Sequence, residues 1–156
     1  MDTVLAPDVE PPFGAHLMTR RCGYIHHGIY VGAGRVVHYS AVAWSLIGRP
    51  VEEVSLTRFC RGRTVWIRAR AQDSYDPAEI VRRARSRLGE DQYRLLTNNC
   101  EHFCEWCTRG QHHSTQVEAL RALLRVPLRR RDGSARAVHW STPRVSSGSG
   151  GAVPEF

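Results

Sequence analysis

Cys100 is the residue most disposed to covalent chemistry. It follows Thr97-Asn98-Asn99, a run of helix-capping residue types, and opens the segment CEHFCEWCTRG. In that segment Phe103, Trp106 and Cys107 fall at helical spacing, and Gly110 ends it. The unpaired N–H groups at a helix start, and the positive end of its dipole, favour a thiolate over a thiol. A nucleophilic thiol needs a base within hydrogen-bond reach, and that base needs an orienting partner. Three histidines offer themselves: His26 and His27 on a predicted strand Tyr24 to Val31, and His38 on a predicted strand Arg35 to Tyr39. Gly32-Ala33-Gly34 joins the two strands as a hairpin. Successive side chains of a strand point to opposite faces, so His26 and His27 cannot both serve. In an unbulged hairpin turning around Ala33, His26 faces Tyr39 and His38 faces His27. One residue of slip, which Gly32 and Gly34 could supply, sets His26 beside His38. Spacing alone leaves the choice between His26 and His27 open.

Zinc is the competing chemistry. Cys100, Cys104 and Cys107 stand at i, i+4 and i+7, with His112 and His113 downstream. Structural zinc sites pair cysteines two to four residues apart around tight turns, which one continuous helix does not provide. Phe103 and Trp106 in the same segment assign Cys104 and Cys107 to core packing instead. No metal and no other cofactor is expected.

The remaining elements must position these groups. Ala15 to Thr19 and Thr64 to Ala69 read as strands. Val51 to Phe59 is ambiguous, with Ser55 able to cap a short turn Leu-Thr-Arg-Phe-Cys. Asp76-Pro77 is a strong helix start, followed by Ile80, Val81, Ala84 and Leu88 on one face and by Gly89 as a stop. Tyr93 to Leu96 reads as extended or loop. A last helix, Ser114 to Leu124, carries Val117, Leu120, Leu123 and Leu124 on one face. Strands come first and helices after, which predicts an α+β fold: an antiparallel sheet with segregated helices. Residues 1–12 read as a loose lead-in, 13–126 as the catalytic domain, and 127–156 as a basic, Ser/Gly-rich disordered tail.

Composition bounds the function. A chain of 156 residues fits one domain, and 42% apolar with 24% charged residues excludes a collagen-like or wholly disordered chain. The longest uncharged stretch, Val36 to Gly48, is too short and too polar to span a bilayer. The opening MDTVLAPDVEPPFG has no apolar core and does not read as a secretory signal. Five cysteines, an odd number, fit reduced thiols in a cytoplasm better than a disulfide framework. Of the formal charge of +7, +5 lies from Ala119 onward, and every one of the 22 cations is arginine. Such a tail suits peripheral contact with an anionic membrane or an acidic partner. Nucleic acid is disfavoured, because no helix-turn-helix, RNA-recognition or zinc-finger pattern accompanies the charge.

Three segments together carry a family resemblance. They are Tyr24-Ile25-His26-His27-Gly28-Ile29-Tyr30-Val31-Gly32, then Val36-Val37-His38-Tyr39, then Asn98-Asn99-Cys100-Glu101-His102-Phe103. In that order they resemble the lecithin:retinol acyltransferase family and the similar H-rev107-type phospholipase/acyltransferases, within the NlpC/P60 thiol-hydrolase superfamily. The resemblance runs from about Phe13 to Leu124 and is nearest to small bacterial, stand-alone members. It implies a permuted papain-like fold with the His-bearing sheet before the Cys-bearing helix. It implies Cys100 as nucleophile, His26 as base, His38 as the orienting histidine, Tyr24 as an aid to the oxyanion, and a non-catalytic role for His27. The chain departs from the family at Gly14-Ala15, where Gly-Asp is usual, and RVPLRRRDGSAR with a Ser/Gly-rich stretch stands where membrane-bound relatives carry a hydrophobic anchor, so an integral membrane protein is not expected. The expected activity is transfer of an acyl group, through a thioester on Cys100, from an ester or thioester donor to an alcohol, amine or water. An NlpC/P60-type amidase or peptidase is the alternative, and a tail-driven nucleic-acid binder the least favoured reading.

Overall fold

The protein is described by a computed structural model covering residues 1–40, 50–69 and 73–125. The expectations for 127–156 lie outside these residues. Six strands, β1 (Thr3–Val4), β2 (His16–Arg21), β3 (Tyr24–Gly32), β4 (Arg35–Tyr39), β5 (Val51–Ser55) and β6 (Val65–Ile67), form one sheet. Four helices accompany it: α1 (Leu56–Cys60), α2 (Pro77–Ser86), α3 (Cys100–Arg109) and α4 (Thr115–Arg125). The strand order is β1-β6-β2-β3-β4-β5, and every pairing is antiparallel. The fold is α+β.

The β3–β4 hairpin carries the decisive local feature. Ile29 pairs with Val37 and Tyr30 with Val36, but Gly32 pairs with Arg35, so a bulge absorbs one residue. Gly32, Ala33 and Gly34 all take positive φ to make this turn. The shifted register sets Gly28 across from His38 and puts His26 diagonally beside it on the same face. Gly28 is required there. A Cβ would stand 2.7 Å from Val36 Cγ1, 2.8 Å from Phe59 Cε2 and 3.3 Å from His38 Cβ. The missing side chain lets Val36, Phe59 and the Cβ of His38 close on β3 at this point.

Strand alternation gives the sheet two apolar faces. On one, Ile29, Val31, Val37, Tyr39 and Val51 pack against Ile80, Val81 and Ala84 of α2 and Phe103, Cys104 and Cys107 of α3. On the other, Leu17, Tyr30, Val36, Val54 and Val65 pack against Phe59 of α1. The expectation of helices segregated after the strands is therefore corrected at α1. Ser55 ends β5, its hydroxyl accepts from the Arg58 N–H, and the short helix drops Phe59 onto the second face.

The caps read from the sequence form. Asp76 accepts from the Glu79 N–H ahead of Pro77, and Asn99 with His102 makes a capping box at α3. α2 stops at Ser86, short of Gly89, and leaves Leu88 exposed. The following turn is held by Arg87, which binds Glu90, with Tyr39 Oη and Asn98 in the same cluster. Part of the segment read as a loose lead-in is ordered: Thr3–Val4 pair with β6, and the Leu5 N–H donates to Val65 O at 2.9 Å. Two residues are too short a run to announce a strand from sequence. On α4 only Val117 of the expected apolar face is buried, whereas Leu123 and Leu124 stand in solvent.

Gly28→Ala is expected to cost about 1–3 kcal/mol of stability, as overpacking of a filled core does. Chemical denaturation measures it, and an unchanged midpoint with an unchanged slope contradicts the close approach described here.

Candidate active site

The β3 strand presents its two adjacent histidines to different surroundings. His26 turns to the α1 face and packs its ring 5.3 Å from that of Phe59. Its Nε2 lies 3.0 Å from His38 Nδ1, and its Nδ1 is buried with no hydrogen-bond partner. Burial, then the neighbouring His38 and Arg21, hold the His26 pKa well below the usual histidine value. His38 is lowered as well, mainly by burial, against the pull of the Tyr39 carbonyl and Glu52. Both rings are neutral at pH 7. Sequence spacing had left His26 and His27 equivalent; the bulge brings His26, not His27, to His38.

His27 turns to the α3 face, and both of its ring nitrogens are engaged. Nδ1 lies 2.8 Å from His16 Nε2, and Nε2 lies 3.1 Å from Gln116 Nε2. Burial lowers its pKa to about 4 even with Glu101 nearby. Glu101 is itself fully enclosed. Burial would raise its pKa, but His27 and hydrogen bonds from Thr115, Ser114 and the Gln116 N–H overcome this and bring it to about 2. The carboxylate next to Cys100 is thus the anchor for the start of α4. Arg68 and Arg109 neutralise the neighbouring Glu105, at 2.7 and 3.1 Å. Sequence reasoning missed this network, because His16, Glu101 and Gln116 share no motif.

Cys100 sits at the first turn of α3, against the edge of β3. Its Sγ lies 3.9 Å from the Ile25 carbonyl, and the His27 N–H points at the sulfur, as do its own N–H and that of Glu101. These three dipoles favour a thiolate, but burial outweighs them and pushes the thiol up to about 11. This corrects the expectation of a thiolate-favouring helix start: burial favours the protonated thiol. The structure places Cys100 beside Ile25 and His27, the residues on either side of His26, and forms no hydrogen bond between Cys100 Sγ and the His26 ring.

Cys100 opens into an apolar cleft of about 450 Å³, a volume within the range of small-molecule sites. Tyr24, Ile25, Tyr93, Leu95, Leu96, Val117 and Leu120 line it. Tyr24 shares the cleft with the sulfur. Burial, and then the charge a Cys100 thiolate would carry, raise its pKa, so the phenol keeps its proton as a donor at neutral pH. Cys104 and Cys107 are buried in the core with their thiols raised by burial, and His112 and His113 lie outside it. Among the described residues no three His, Cys, Asp or Glu side chains are grouped to hold a metal ion.

Comparison with known proteins decides the family. The lecithin retinol acyltransferase family model matches residues 9–113, which include His26, His38 and Cys100. The chain belongs to the lecithin retinol acyltransferase family. It is 29% identical to mouse lecithin retinol acyltransferase over 153 residues, covering 80% of this chain and 66% of that protein. It is 30% identical to human phospholipase A and acyltransferase 2 over 124 residues, covering 69% of this chain and 76% of the relative. Mouse phospholipase A and acyltransferase 3 is 28% identical over 137 residues, with 77% and 85% covered. The chain thus spans just under two thirds of the acyltransferase and more of the phospholipase-type relatives.

A neutral thiol makes a kinetic signature. Alkylation of Cys100 by iodoacetamide, followed by peptide mass spectrometry so that exposed Cys22 is scored separately, is expected to rise continuously with pH toward about 11. A rate flat from about pH 6 to 9 would mean a preformed thiolate–imidazolium pair and contradict the burial argument.

Proposed function

We propose that this chain is a cysteine-dependent acyltransferase or acyl hydrolase with a permuted papain-like arrangement. The observation that supports it best is the division of labour on β3. His27 has both nitrogens occupied, whereas His26 keeps one buried, unpartnered nitrogen one residue from the carbonyl that faces Cys100 Sγ. A buried nitrogen without a partner is costly, and here it is the group a general base requires.

In this reading the Cys100 thiol turns from Ile25 O and gives its proton to His26 Nδ1 as sulfur attacks an acyl ester carbonyl. The oxyanion is met by an N–H at the start of α3, with the Tyr24 phenol as a second donor. Collapse breaks the ester C–O bond, and the leaving alkoxide takes the proton from His26. An alcohol, amine or water then gives its proton to His26 and attacks the thioester, and the thiol re-forms as it leaves. A neutral resting pair suits this order, since charge separates only as the acyl group arrives.

The apolar lining of the cleft favours an acyl chain over the peptides of an NlpC/P60-type amidase. The cleft mouth favours delivery from a lipid surface. Leu95, Leu96 and Leu120 line it and are exposed, Leu123 and Leu124 are exposed further along α4, and Arg121 lies beside Leu96, with Nη2 3.4 Å from its carbonyl. No helix among the described residues is long and apolar enough to cross a membrane. We propose peripheral docking of this flank on an anionic lipid surface.

Two outcomes are expected. Incubation with short-chain phosphatidylcholine gives a mass gain on wild type that Cys100→Ala lacks; no adduct with this donor or with an activated ester ends the acyl-thioester reading. Leu123→Asp lowers the rate on anionic vesicles roughly tenfold, the equivalent of one leucine's burial, and leaves the rate on monomeric donor unchanged. Equal losses on both donors would contradict docking.

A further inference from the structure

Each neutral imidazole carries one N–H and one lone pair, and which nitrogen holds the proton is set by what the other faces. The His26–His38 pair shares one proton between His26 Nε2 and His38 Nδ1, 3.0 Å apart. Two arrangements are possible. In the first, His26 Nε2–H donates to His38 Nδ1. His26 Nδ1 is then a lone pair, able to accept a proton, and His38 holds its own proton on Nε2. In the second, His38 Nδ1–H donates, and His26 must carry its proton on Nδ1, where it has no acceptor and cannot act as a base.

Two neighbours of His38 pull in opposite directions. The Tyr39 carbonyl, 2.9 Å from His38 Nδ1, favours a proton there and so the second arrangement. Glu52 favours the first. It lies directly across from His38 in the β4–β5 register, with Oε1 3.6 Å from His38 Nε2. A carboxylate at that distance attracts an N–H and repels a lone pair. Arg58 Nη2, 3.6 Å from Glu52 Oε2, holds the carboxylate in place from α1. Arg58 and Arg21 are the cations facing His38 and oppose a doubly protonated ring.

We propose that Glu52 is a positioning residue: by fixing the proton of His38 on Nε2, it leaves His26 Nδ1 as the proton acceptor. The proposal rests on the reading of Cys100 and His26 given above. Its neighbour Glu53 is the natural control. It stands on the same strand but pairs with Arg35 and Arg85 instead, so it carries charge without facing His38.

The test is ¹⁵N NMR of the full chain with labelled histidines, at a pH where the rings are neutral, for wild type, Glu52→Ala, Glu52→Gln and Glu53→Ala. Ring shifts and couplings report which nitrogen is protonated. Wild type and Glu53→Ala are expected to show Nε2–H on both His26 and His38. Glu52→Ala is expected to move His38 toward Nδ1–H, with Glu52→Gln intermediate because its amide oxygen still accepts. The acylation rate should fall about tenfold in Glu52→Ala at unchanged KM, as a partial loss of a general base implies. Amide spectra outside the hairpin serve as the folding control, and Glu52→Gln carries the test if Glu52→Ala unfolds. Wild-type His38 protonated on Nδ1, an unchanged pattern in the Glu52 variants, or a changed pattern with an unchanged acylation rate would each overturn the proposal. If the rings shift as expected but no donor acylates Cys100, acyl transfer falls and the proton arrangement stands.

Discussion

A β-strand turns successive side chains to opposite faces, and β3 depends on that alternation for both halves of its role. His26 goes to the α1 face, where it meets His38. His27 goes to the α3 face, where it joins His16, Gln116 and Glu101 in a network that anchors α4. Shifting the hairpin register by one residue would undo the arrangement. The bulge between Tyr30 and Gly32 sets that register, and the close approach of Val36, Phe59 and His38 to Gly28 fits it. The pairing of His26 with His38 on one face and structural anchoring by His27 on the other are consequences of the same local constraint.

Burial is the second governing effect. The helix start offers Cys100 three N–H dipoles, yet enclosure leaves the sulfur protonated at rest. The same enclosure neutralises the histidines. Glu101 keeps its charge because His27 and Arg68 lie beside it and four donors converge on it: two hydroxyls, one backbone N–H and the Gln116 amide. A buried carboxylate so well supplied with donors, and with Arg68 Nη1 3.5 Å from its Oε1, can hold α4 and with it one wall of the apolar cleft.

Much of this architecture was legible before the structure. Strand periodicity located β2, β3 and β4, and capping residues located the starts of α1, α2 and α3. The spacing of His26 and His38 brought them together only with a slip in the hairpin; a bulge is present, and it sets His26 diagonal to His38 rather than directly across from it. What stayed hidden depended on register and burial. Glu52 and Glu53 are adjacent and chemically identical, and only the β4–β5 pairing distinguishes the one opposite His38. The fate of the Cys100 proton hung on the depth of burial, which a capped helix start does not reveal. Helical spacing on α4 predicted an apolar face correctly in sequence, but not that most of it would find no neighbour.

The central claim is that His26, and not His27, takes the proton from Cys100. It is tested most directly by the rate of Cys100 acylation in a single turnover, comparing His26→Gln with His27→Gln. The account predicts that His26→Gln slows acylation by roughly 10²–10⁴-fold, the usual contribution of a general base. His27→Gln is predicted to lower thermal stability while acylation stays within about tenfold of wild type. The reverse order, with His27→Gln the more damaging to acylation in folded protein, would contradict the division of roles along β3.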